Sequence, residues 1–315
     1  TIFFALLLIL VAVFFMARDF FFQQDKDTPN PYEYDLSEFR EVEEDLICYK
    51  EVARLAPLMK KAKGIAVDDK DRLYVAGADK VIIYDKGGEK VQEFKLDGEA
   101  NCIAVSMQGE IYLGMSDHVE IRDFSGNLLQ EWADPGERTL ISSITVSDSA
   151  VYVADAGHKV VRQYNLSGSQ IREIGKRNRA TGEQGFIIPS PYFDVMVGRE
   201  GELWAVNPGI HTLQSYNNEG SIVSSWKRTS MQLDGFSGCC NPSHIAMLSN
   251  GSFVTSEKGI ERVKVHLPSG DFKCVVAGPK QFEPGTVGLD LAVDSEDRIY
   301  VLDPKKKEVI VYEGN

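Results

Sequence analysis

The chain has 315 residues and 43% hydrophobic content, which excludes global disorder and leaves room for one large domain or two ordinary ones. Lys and Arg number 34 against 47 Asp and Glu, a net −13 with no long basic block, so nucleic acid is not an expected partner. Five cysteines are odd in number and too few for a disulfide-built scaffold.

The first element is apolar. Residues 2–17, IFFALLLILVAVFFMA, form an unbroken hydrophobic run, followed after Arg18-Asp19 by Phe20, Phe21 and Phe22. A helix over the run spans roughly 24 Å, and the aromatic cluster suits a lipid–water interface. No Ala-x-Ala site and no lipidation cysteine follows, so residues 1–22 are expected to be an uncleaved transmembrane signal-anchor rather than a cleavable signal peptide. The acidic downstream flank then places the rest of the chain on the extracytoplasmic side, periplasmic or extracellular. From Asp19 to Glu51 the chain carries eleven acidic residues against three basic ones. Residues 23–45 read as an acidic extended linker broken by Pro29 and Pro31, with a short helix expected over DLSEFREVEEDL (35–46).

Beyond residue 46 one phrase recurs: an apolar run, a polar turn, an aromatic-containing strand, then two more strand-like runs. Its copies begin at GIAVDDKDRLYVAG (64–77), CIAVSMQGEIYLGM (102–115), SITVSDSAVYVAD (143–155), DVMVGREGELWAVN (194–207), HIAMLSNGSFVTS (244–256) and DLAVDSEDRIYVLD (290–303). Four short antiparallel strands per 40-odd residues, in six copies, predict an all-β fold: a six-bladed β-propeller over 46–315. The last copy, ending at VIVYEGN, has only three strands. LICYKEVARL (46–55) is expected to supply the fourth and close the ring, which removes an open sheet edge.

The motifs resemble the NHL-repeat family of propellers. The carriers are Gly64–Asp68 with Leu73–Ala76, Tyr152–Asp155 with Val161–Tyr164, Ile299–Asp303, and the connector Gly182–Phe186. The resemblance implies a fold more than a function, because that family includes scaffolds, sensor domains, RNA binders and lyases.

Aligning the first strands sets Gly64, Cys102, Ser143, Asp194, His244 and Asp290 around the channel mouth. Asp194, His244, Asp290 and Cys102 are residue types that ligate a divalent metal ion. The family resemblance permits a metal there, since several lyases and hydrolases on six-bladed propellers hold one; the other reading is a polar, water-filled mouth. Cys239-Cys240 precede His244 by a few residues and have three open readings: a vicinal disulfide, additional metal ligands, or small buried packing. Cys48 and Cys274 fall in outer strands of neighbouring blades and read as structural.

No G-x-S-x-G elbow, Walker loop or H-E-x-x-H motif occurs. The expected function is therefore a membrane-anchored interaction or assembly module, of the kind that serves as a subunit of a membrane complex. Phe186, Tyr192, Phe193 and Phe236, in and beside the long loops 176–191 and 228–243, are the expected anchors for a protein partner. The alternative is a metal-dependent lyase or hydrolase with its site at the top of the channel.

Overall fold

The computed structural model describes residues 36–315, except residues 58, 134 and 181. The expected anchor 1–22 and linker residues 23–35 lie outside the described residues. Among the described residues no helix is long and apolar enough to cross a membrane. Where a helix was expected near 35–46, the chain makes two 3-10 turns, Ser37–Arg40 and Glu44–Leu46. Its apolar Leu36, Phe39, Val42 and Leu46 are only half-buried, and Arg40 is held by a 2.6 Å ion pair to Glu261.

Six four-stranded antiparallel sheets follow, as a six-bladed propeller requires; in five of them each strand is bonded to the next in sequence. The inner strands are Ala62–Val67, Cys102–Val105, Ile141–Val146, Val195–Val197, His244–Met247 and Asp290–Val293. Each touches its neighbours, including the last against the first. Second and third strands such as Leu73–Gly77 and Val160–Tyr164 are almost wholly buried, because blades cover both of their faces. Outer strands such as Leu128–Trp132 are exposed except for an apolar residue turned inward.

That inward residue explains a recurrent glycine. Gly168, in the hairpin of blade 3, has φ +86°, and a Cβ there would lie 2.4 Å from the Trp132 ring of blade 2. Phe94 covers Gly126 and Trp226 covers Gly270 in the same way. The turn therefore needs glycine twice, for its left-handed backbone and for the ring lying on it.

In the last blade, Tyr49–Leu55 pairs antiparallel with Glu308–Gly314, from Tyr49 opposite Gly314 to Leu55 opposite Val309. Cys48, just before that strand, is disulfide-bonded to Cys274 in the outer strand of blade 5, with a Cα–Cα distance of 6.0 Å. On the face opposite the mouth a second device recurs at the two seams that flank the last blade. Asp71 (φ +57°) accepts the N–H and hydroxyl of Ser295 at 2.9 and 2.8 Å. Asp297 (φ +61°) does the same for Ser249, at 2.6 Å each. Each aspartate ties its own blade to the one before it.

Candidate functional site

The inner strands bring most of the aligned ring residues together and fasten them to one another. Asp194 Oδ2 accepts the Ile245 N–H of the next blade at 2.7 Å, and Oδ1 accepts its neighbour Val195 N–H at 3.0 Å. Asp290 repeats the pattern around the closure, taking Ile65 N–H at 2.7 Å and Leu291 N–H at 2.9 Å. Between them stands His244, its Nδ1 3.1 Å from Asp290 Oδ1 and 3.8 Å from Asp194 Oδ2. The imidazole is out of line for a hydrogen bond from Nδ1, so its tie to the carboxylates is chiefly electrostatic.

The remaining joints are made at Ser143, one residue before an aligned position, or by close approach. Ser143 Oγ meets both the N–H and the carbonyl of Val195. Lys63 Nζ donates to Asn101 Oδ1 at 2.6 Å, Asn101 Nδ2 to the Ile141 carbonyl at 3.1 Å, and Ser142 Oγ to the Phe193 carbonyl at 2.6 Å. At Gly64 a Cβ would lie 2.9 Å from the Cys102 Cα, so the first and second inner strands approach too closely for any other residue. Polar contacts and this close approach thus run all round the axis.

Charge in this ring is shifted by burial and by neighbours. Burial chiefly, and then the Asp290 charge, raise Asp194 to about 6, against the pull of His244 and the donated hydrogen bonds. For His244, burial disfavours the cation but the charges of Asp290 and Asp194 prevail, and its pKa lies above the usual value. The Cys102 thiol is pushed up by burial first and then by the two carboxylates.

This donor set is not arranged around a divalent ion. Both oxygens of each aspartate already hold main-chain N–H groups, and the Cys102 sulfur turns to the Gly114 carbonyl, 4.0 Å away. Among the described residues no three His, Cys, Asp or Glu side chains are disposed to hold a metal ion.

Above the ring the mouth opens into a cavity of about 310 Å³, walled by Leu140, Tyr192, Val287 and Pro304 over a floor of Lys63, Asn101 and His244. Of the four expected partner anchors only Tyr192 lines it. Phe186, Phe193 and Phe236 are core residues, 5%, 1% and 0% exposed, which corrects the expectation that they anchor a partner. Phe186 packs on Phe193 with ring centroids 4.7 Å apart. Phe236 is pinned beneath its loop by stacking on Trp226 and by the buried Lys264 ammonium, 4.8 Å from its ring. That ammonium also holds the Leu233 and Gly235 carbonyls and Glu257, so loop 228–243 is anchored from below.

Sequence reasoning missed Lys63, Asn101 and Ser142, although a signal was present. Each is the residue immediately before an aligned ring position, a place that is polar in four of the six copies. Cys239 and Cys240 lie beside the mouth with their sulfurs 3.2 Å apart, Cys239 exposed and Cys240 buried.

No protein-family model matches the chain, and no curated protein is similar to it. Solved structures are. A streptogramin B lyase structure shares 12% identity at TM-score 0.60, over 87% of this chain and 100% of that one. Selenomethionine-substituted virginiamycin B lyase from Staphylococcus aureus shares 13% at TM-score 0.55, covering 84% of this chain and 99% of that one. A catalytically inactive form of the same lyase with quinupristin gives 14% and 0.57, with the same 84% and 99% coverage. At these identities the likeness is one of fold.

Proposed function

We propose that the protein is a membrane-anchored, extracytoplasmic propeller of NHL type that serves as an interaction or assembly module. The observation that carries this reading is the state of the mouth: the Asp194 and Asp290 carboxylates are engaged in holding neighbouring strands. A rigid ring of this kind presents loops as a recognition face, here rimmed by Tyr192 and the part-exposed Leu140 and Val287. Two further features support the location. The Cys48–Cys274 bond is of a kind that persists in oxidising compartments, and residues 1–22 have the composition of an anchor.

The test is native mass analysis of the full chain after gentle detergent extraction. A defined complex heavier than the 35.1 kDa chain is expected. Recovery as an isolated monomer across several detergents counts against the reading.

The alternative, a lyase or hydrolase working at the mouth, draws on His244 at the floor of the cavity and on a fold shared with lyases. Elemental analysis discriminates. A stoichiometric divalent metal whose chelation destabilises the purified protein favours the alternative; its absence, with stability unchanged on chelation, favours the module.

A further inference from the structure

Cys239 and Cys240 stand among groups that make a thiol pair reactive. Their sulfurs are 3.2 Å apart, close enough to share one proton. The first is exposed and the second is buried behind it. Lys258 is fixed beside them: its Nζ donates to Ser190 Oγ at 2.9 Å and lies 4.8 Å from the centre of the Tyr192 ring. Its main chain is fixed as well, with Lys258 N–H donating to Asn241 Oδ1 at 3.0 Å and the Lys258 carbonyl accepting from Asn241 Nδ2 at 3.0 Å. The loop carrying the cysteines and the turn carrying the lysine are therefore held in register.

The electrostatics agree with the geometry. Burial disfavours a Cys240 thiolate, but hydrogen bonds from Ser190 and Cys239 and the Lys258 charge outweigh it, so the Cys240 pKa falls below the ordinary thiol value. Cys239 moves the other way, because its proton is hydrogen-bonded to the Cys240 sulfur and the neighbouring charge opposes a second anion.

We propose that Cys239 and Cys240 form a thiol–disulfide exchange site beside the channel mouth, with Cys239 receiving an organic disulfide, Cys240 resolving it, and Lys258 and Ser190 as positioning residues. The Cys239 proton crosses to Cys240 as the Cys239 sulfur attacks one sulfur of the incoming disulfide. A Cys239 mixed disulfide forms, the disulfide's own S–S bond breaks, and the first thiolate leaves with the electron pair. Cys240 then gives up its proton to that thiolate and attacks the Cys239 sulfur. The Cys239–Cys240 bond forms, the mixed disulfide breaks, and the second thiolate departs and is protonated from solvent. The incoming disulfide gains two electrons and the cysteine pair loses two. This site is independent of the assembly reading and stands or falls separately.

The experiment treats the full detergent-extracted chain with mild reductant, removes it, and adds the chromogenic disulfide 5,5′-dithiobis(2-nitrobenzoate). Two equivalents of released thiol per chain are expected from this pair, with peptide mapping locating a new 239–240 disulfide two hydrogens lighter than the dithiol. C240S is expected to release one equivalent and keep the adduct on Cys239. C239S is expected to react slowly or not at all. K258M, which removes the neighbouring charge but neither sulfur, should keep the two-equivalent stoichiometry but slow the first release by about tenfold. Release of a single equivalent by the unmodified chain overturns the proposal. So does a first rate unchanged in K258M, or an adduct found at Cys102 instead. Circular dichroism of each variant separates loss of reactivity from loss of fold.

Discussion

His266 packs against Trp226 and Phe236, with ring centroids 5.3 and 5.2 Å away, and its Nδ1 faces the Gly270 carbonyl at 3.3 Å. Its Nε2 has no hydrogen-bond partner among the described residues. Burial first, and then the neighbouring Lys264 charge, push its pKa down to about 3. The unfolded chain takes up this proton near pH 6.5, whereas the folded chain resists until about pH 3. Below pH 6.5 the unfolded state thus binds more protons, and stability contributed by the neutral ring is lost as pH falls from about 6.5 towards 3. The loss amounts to as much as about 4 kcal/mol at the acid end. His266→Phe, measured by urea unfolding between pH 7 and pH 4, is expected to flatten this slope. An unchanged slope would mean that other groups carry it. In the sequence His266 is a lone histidine in a strand, and its pattern gives no sign of the Trp226–Phe236 sandwich. The residues that build that environment come from another blade and from a long loop, so local pattern does not reach it.

At the scale of elements, the closure is the joint on which the ring depends. Strand Tyr49–Leu55 is separated by most of the chain from its partner Glu308–Gly314, and few residues on either side recommend the pairing locally. It was legible because the repeat counts strands: a blade with three invites a fourth, and 46–55 had no other sheet to join. The disulfide that ties the closing strand to blade 5 was conceivable from two outer-strand cysteines on neighbouring blades, but assigning it needs the register of the closing strand. Cys48→Ser with Cys274→Ser is expected to cost roughly 2–4 kcal/mol and to lower the melting temperature of the oxidised protein to that of the reduced one. If the double variant and the oxidised parent melt together, the bond is not formed in the folded protein. The short helix expected over 35–46 failed for a physical reason: six acidic residues against one basic repel along so short a helix, and its apolar Leu36, Phe39, Val42 and Leu46 reach the propeller only half-buried, beside contacts such as Arg40–Glu261. The two aspartates at positive φ, Asp71 and Asp297, share the D-R pairs of DDKDR and DSEDR. Those copies resemble each other in sequence because they perform one fastening task on adjacent joints.

For the whole molecule, the repeat made the architecture readable while the site was readable only in part. Aligning first strands correctly gathered Asp194, His244 and Asp290, but residue type alone could not distinguish ligands from fasteners. That distinction rests on which main-chain N–H groups face the carboxylates, and those belong to the next blade. Loop aromatics misled for a related reason. Phe186, Phe193 and Phe236 lie in or beside long loops by sequence, yet the loops fold back over the blade ends and bury them. The mouth aspartates hold the ring together. Replacing catalytic groups is commonly neutral or stabilising, whereas removing a buried fastener leaves N–H groups unpaired and destabilises. Asp290→Ala removes the acceptor of Ile65 N–H and Leu291 N–H and the partner of His244 in a single change. The most direct measurement is the melting temperature of that variant beside the parent protein in the same detergent. A fall of about 5–10 °C, from a loss of roughly 2–4 kcal/mol, is predicted; a melting temperature equal to or above the parent's would contradict the account.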